Sequence, residues 1–170
     1  MLNADAGGAR RLSETRIIDR TDAAILLALD TEPLATTTAL SERLRFARNT
    51  VQSRQRRLES DGSLAPPSSR LRPAAMGYSL LAFVSIQISQ GELDPTVAAL
   101  SAIPEVLELH AVTGDADLIA HVVAIDPEDL HRVTRLIVGS YGVMRTSTSI
   151  AARELIPRRM GPLLTRSLEA

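Results

Sequence analysis

Residues 43–59 read RLRFARNTVQSRQRRLE, a stretch with six arginines and no acid before its last residue. Val51 and Leu58 stand two helical turns apart and share a face, and that phase turns Arg48, Asn49, Gln52, Ser53 and Arg56 to the opposite side. Just upstream, the threonines Thr36 to Thr38 offer an N-cap to a short helix containing Leu40 and Leu44. Between the two helices lie only Arg45, Phe46 and Ala47, room for a tight corner. Helices joined this way form a helix-turn-helix, whose second member fits the major groove of DNA. Arginine, asparagine, glutamine and serine are the side chains that meet guanine and adenine edges and phosphate oxygens.

Working outward, Asp19 and Asp22 precede Ile25, Leu26 and Leu29, the pattern of an amphipathic helix with acids in its first turn, and Glu32-Pro33 ends it. The 16 residues before it are small and polar and read as a disordered tail. After Gly62 the run LAPPSSRLRP reads as a wing or linker. From Tyr78 the period changes to that of strands. LLAFVSIQI (80–88), VLELHAVT (106–113), LIAHVVAI (118–125) and MRTSTSIA (from Met144) are predicted strands. DPTVAALSAI, with Val97, Leu100 and Ile103, and DPEDLHRVTRLIV, with Leu130, Val133 and Ile137, are predicted helices.

The order is βαββαβ, which implies an antiparallel sheet with the first and third strands central and both helices on one face. Leu118, Ala120, Val122 and Ala124 should meet the helices. Ile119, Val123 and Ile125 make the other side of that strand apolar too, so a second copy is expected to cover it, giving a homodimer. The domain boundaries predicted are 1–16 tail, 17–65 helix-turn-helix, 66–78 wing or linker, 79–156 βαββαβ domain and 157–170 C-terminal tail. The fold class is α+β.

Composition narrows the function classes. Net charge is only −1, so attraction to nucleic acid must come from clustering, and residues 1–72 carry 12 arginines against 9 acids while residues 73–170 carry 7 against 11. All 19 basic residues are arginine. Without cysteine there is no disulfide, thiolate metal site or cysteine nucleophile. The N-terminus lacks the apolar core of a signal peptide, and no apolar run approaches the ~20 residues of a membrane span, so a cytoplasmic protein is expected. RNA-binding modules share the βαββαβ order but stack bases on sheet aromatics. Aromatics are 2% of this chain, with Phe83 alone on the first strand, so no stacking platform exists.

IIDRTDAAILLAL, ALSERLRFARNTVQSRQRRLESDG, LRPAAMG, IPEVLELHAVTGDAD and MRTSTS, taken together over residues 17 to about 156, resemble the Lrp/AsnC family of feast/famine regulators. The resemblance implies a transcription factor that binds double-stranded DNA, dimerises through its βαββαβ domain, assembles into tetramers or octamers, and responds to a small effector, commonly an amino acid, bound between dimers. The chain departs from the family pattern at the corner, where Arg45, Phe46 and Ala47 replace Gly, an apolar residue and Ser, and at Gln55, where an apolar residue is usual. These departures keep open an alternative: an effector-sensing, oligomerising protein with a degenerate helix-turn-helix that acts through a partner regulator.

The expected DNA-contacting set is Arg48, Asn49, Thr50, Gln52, Ser53, Arg54, Arg56 and Arg57, with Arg54 and Arg57 placed beside the groove wall. For TGDAD two readings stand side by side. It is a hairpin turn, Gly114 supplying positive φ. Alternatively it is also the effector site implied by the resemblance, formed by Thr113, Gly114, Asp115 and Asp117, with a carboxylate meeting an ammonium group. His110 and His121 lie on neighbouring predicted strands and His131 on a helix, a spacing that signals no metal site. No nucleophile elbow or phosphate-binding glycine loop accompanies them, so neither a cofactor nor catalysis is expected.

Overall fold

The computed structural model describes residues 17–169, and the tail predicted at 1–16 lies outside them. The described residues form two compact units, one from 17–67 together with 157–169, the other from 68–156.

The first unit is built on three helices. In α1 (Arg20–Thr31) the capping residue is Asp19, whose side chain accepts from the Asp22 backbone N–H, while Asp22 reaches back to the Asp19 N–H, a reciprocal pair that satisfies two donors at the helix start. Helix α2 (Thr37–Leu44) is capped by Thr36, and α3 (Arg48–Ser60) follows the corner. Ile25, Ala28, Leu40 and Val51 form the buried centre, with Leu29, Leu44 and Phe46 packed around it. Each such large aliphatic side chain, once buried, contributes roughly 1.5–3 kcal/mol.

The C-terminal stretch expected to be a tail is instead helical. Helix α6 (Gly161–Glu169) packs on α1 in this same unit, and the Arg20 guanidinium donates to the Leu168 carbonyl at 2.6 Å in its last turn. Its half-buried Leu164 and Leu168 recur at helical spacing, the signal that marks it as an element. The proline-rich run after Gly62 forms two short 3-10 turns, Pro67–Arg70 and Pro73–Met76, which suits residues that cannot donate to a ladder.

The second unit is the expected βαββαβ: β1 (Leu80–Ile88), α4 (Leu93–Ser101), β2 (Val106–Ala111), β3 (Leu118–Ala124), α5 (Pro127–Val138) and β4 (Val143–Ile150). The sheet order is β2-β3-β1-β4, antiparallel throughout, with β1 and β3 central. Ala82, Val84 and Ile86 of β1 and Leu118, Ala120, Val122 and Ala124 of β3 are sealed beneath Leu100, Ile103, Leu130, Val133 and Ile137. Asp126 caps α5 through the Asp129 N–H, with Pro127 at its first turn. On α4 it is Thr96, rather than Val97, that is fully buried. A close approach explains this: Gly142, at φ 79°, lies against Thr96, whose hydroxyl would be 2.1 Å from any Cβ at that position.

The face of the sheet away from the helices is mixed. Phe83 and Ile119 share it with Ser85, Gln87, Glu108, His110 and His121. Among the described residues no helix is long and apolar enough to cross a membrane.

Candidate functional site

Helix α3 has two chemically distinct sides. Arg48, Asn49, Thr50, Gln52, Ser53 and Arg56 are exposed, whereas Val51 and Leu58 are buried. Among the described residues neither Arg48 nor Arg56 pairs with a carboxylate.

Arg54 and Arg57, expected from the sequence beside the groove wall, pair with acids of the α1 start. They stand three residues after Val51 and one before Leu58, so the helical period brings them to the flank that meets α1. Arg57 donates to both carboxylate oxygens of Asp22 at 3.0 Å, and Arg54 donates to Asp22 at 3.2 Å and to Asp19. Asp22 is 1% exposed, so its charge is held out of water and satisfied by these two guanidiniums. For Asp19, burial opposes ionisation. The Asp22 N–H, then the hydrogen bond and charge of Arg54, outweigh that effect and bring its carboxyl from the ordinary 3.8 to about 2.

The corner residues that depart from the usual pattern are each accommodated. Arg45 takes the left-handed conformation, φ 56° and ψ 36°, at a steric cost of roughly 1–2 kcal/mol for a residue with a Cβ. Its N–H and that of Phe46 both donate to the Ser41 carbonyl, and the Ser41 hydroxyl donates to the Phe46 carbonyl at 2.7 Å. Gln55 is half-buried and accepts the Thr37 hydroxyl at 3.2 Å, joining α3 to the start of α2. Ala47 provides no side-chain cap, so the first amides of α3 carry none.

In the second unit a cavity of about 310 Å³ is lined by Ser85, Gln87, Asp115, Ala116, Arg145, Thr146 and Ser147. Of the four loop residues expected to hold an effector, only Asp115 lines it. Gly114, at φ 123°, performs the turn, and both it and Thr113 are exposed. The Asp117 carboxylate accepts the Ile88 N–H at 2.9 Å, where the β1–β4 register shifts, and so supports the strand. Gln87 donates to the Asp115 carbonyl at 2.7 Å, tying the loop to β1. Sequence reasoning missed Arg145, Ser85 and Gln87. The signal was the pairing of β4 with β1, which sets Arg145 opposite Gln87 and Ser147 opposite Ser85.

Comparison with known proteins gives these two surfaces a context. The family model described as winged helix-turn-helix DNA-binding matches residues 18–62, and that described as Lrp/AsnC ligand binding domain matches residues 81–160. The transcriptional regulator AldR of Mycolicibacterium smegmatis is 30% identical over 152 residues, 87% of this chain and 89% of the relative. The chain belongs to the Lrp/AsnC family. Among solved structures, a feast or famine regulatory protein from Mycobacterium tuberculosis, complexed with L-methionine, is 30% identical with a TM-score of 0.73, covering 84% of this chain and 97% of that one. Escherichia coli AsnC shares the fold at a TM-score of 0.77 and 23% identity, covering 86% of this chain and 100% of that one. As an Lrp/AsnC regulator the protein has a DNA-binding helix-turn-helix and a ligand-binding domain.

Two expectations follow from the carboxylate anchor of this Lrp/AsnC helix-turn-helix. Asp22→Ala strands two guanidiniums, each keeping a quarter to a third of its side-chain surface in water, and should cost about 3 kcal/mol, the low end for breaking a buried pair. Urea denaturation reads this directly, and a loss below about 1 kcal/mol would remove the anchor's role. Because the folded carboxyl of Asp19 titrates near 2, its contribution is complete above the ordinary value of 3.8 and is lost as pH falls from there toward 2. Asp19→Asn, which retains capping ability, should flatten the acid limb of the stability profile in that window.

Proposed function

We propose that the outward face of α3, formed by Arg48, Asn49, Thr50, Gln52, Ser53 and Arg56, reads operator DNA. The carrying observation is the division of the arginines: two are neutralised against α1, and two, about two turns apart, are exposed and without a carboxylate partner among the described residues. A recognition helix needs that free charge for phosphates and base edges. The uncapped start of α3 supports the same reading. Its first amides, at the positive end of the helix dipole, suit a backbone phosphate once the duplex is in place. In a dimer two such helices would enter successive major grooves, about 34 Å apart on one face of the duplex.

The ligand is an amino acid. Asp115 and Arg145 bring opposite charges to the rim of one small cavity, as a zwitterion requires: a carboxylate for its ammonium, a guanidinium for its carboxylate. Ser85, Gln87, Thr146 and Ser147 add polar groups to the lining. The L-methionine complex of the Mycobacterium tuberculosis relative supports this class of ligand. Its effect would be on DNA affinity or on assembly of dimers through the sheet, where Phe83 and Ile119 await cover; a coupling of ~1–3 kcal/mol between the two suffices. The role is binding and assembly, without a chemical step.

Replacing Arg48 and Arg56 together by alanine should weaken binding to genomic fragments selected by the protein itself. Each lost base-edge contact is worth roughly 1–3 kcal/mol, and each lost phosphate contact lowers the salt slope by about one. Light scattering should show an unchanged oligomer mass; unchanged DNA affinity would remove α3 from the interface. Asp115→Ala should abolish the thermal shift induced by the effective amino acid while leaving DNA binding intact. A retained shift would move the pocket elsewhere.

A further inference from the structure

The hairpin of β2 and β3 assembles a group that the residue spacing conceals. Glu108 pairs directly with His121 across the ladder, and His110 pairs with Ile119, so Glu108, His110 and His121 emerge together on the face away from the helices. A register shift between Val106 and Glu108 sets this alignment. His110 Nε2 lies 3.1 Å from Glu108 Oε2, and His121 Nδ1 lies 3.5 Å from the same oxygen. The three ligand atoms fall within 4.8 Å of one another. The Phe83 and His121 rings meet in a T-shaped arrangement, centroids 4.7 Å apart at an interplanar angle of 89°, which restricts how the imidazole can turn.

We propose that Glu108, His110 and His121 bind a borderline divalent cation of the Zn²⁺ type. Ligands about 2.0–2.2 Å from a tetrahedral ion are separated from each other by about 3.3–3.6 Å; the separations of 3.1 and 3.5 Å lie just below and within that range. Two imidazoles and one carboxylate form a nitrogen-rich set that favours zinc, nickel or copper over magnesium and calcium, which take oxygen ligands. The single carboxylate offsets part of the ion's charge. Strands hold all three residues, so only side-chain rotation is needed to close the site. With three protein ligands, a fourth tetrahedral position remains for a further ligand. The ion would give the regulator a second input, distinct from the amino-acid cavity, whose lining contains none of these three residues. This assignment does not depend on the DNA or amino-acid reading.

The test uses the full-length chain, purified without a polyhistidine tag and stripped with a chelator. Calorimetric titration with ZnCl₂ should give saturable binding of one ion per chain, and MgCl₂ should give none. Co²⁺ in place of Zn²⁺ should develop the visible absorption of nitrogen and oxygen ligation. His110→Ala with His121→Ala should weaken Zn²⁺ binding by more than the roughly 10- to 100-fold that loss of an outer-sphere partner costs. Glu108→Gln preserves side-chain size and should also weaken it, should the double variant fold poorly. His131→Ala, on α5 and outside the cluster, should bind like the parent. Absence of saturable Zn²⁺ binding in the parent, or its retention in a folded double-histidine variant or in Glu108→Gln, would overturn the proposal.

Discussion

A carboxylate that water barely reaches holds α3 in its place. Asp22 accepts the Asp19 N–H at the start of its own helix and accepts Arg54 and Arg57 from α3, so one buried charge serves both the start of one element and the orientation of another. A buried ion pair is a weak source of net stability, because removing two charges from water nearly cancels their attraction. Its value here is in specificity. An α3 rotated by a third of a turn would strand Asp22 without a partner, so the pair and the Val51–Leu58 stripe select the same rotation. Arg48, Gln52 and Arg56 face outward as a consequence of that selection.

The second unit applies a comparable constraint through strand register. Helices cover one side of the sheet, and the two-residue alternation along β1 and β3 sends every second side chain to the other. On that side Gln87 and Ser85 meet Arg145 and Ser147 of β4, beside the Asp115 loop. Farther along, the same alternation places Phe83 beside His121 and the Glu108 carboxylate. Polar groups built into this surface set it apart from an ordinary apolar packing face. The constraint that makes the core continuous therefore also determines which ligands the open side can meet.

Much of the architecture was legible because periodicity carries it. The β1 limits, the inward positions of α5 and the central place of β1 and β3 all follow from apolar spacing and the βαββαβ order. What escaped was information held between elements. Arg54 and Arg57 look like their neighbours in a one-dimensional list, and only the packing of α3 on α1 distinguishes them. Arg145 lies 30 residues from Asp115, and their meeting depends on β4 returning beside β1. Asp117 was legible as a loop acid but not as the acceptor for Ile88, because a strand irregularity creates that donor. The helical nature of residues 161–169 was available from the Leu164–Leu168 spacing, yet the surface it packs on comes from α1, far away in sequence.

The central claim is that the exposed side of α3 lies on the duplex while its anchored flank does not. Site-specific photo-crosslinking measures this most directly, with the reactive side chain placed singly at Gln52, Ser53, Gln55 or Leu164 and the protein bound to a DNA fragment it selects. The account predicts strong cross-links to DNA from positions 52 and 53 and background yield from 55 and 164. Equal yields from all four, or the highest yield from α6, would contradict it.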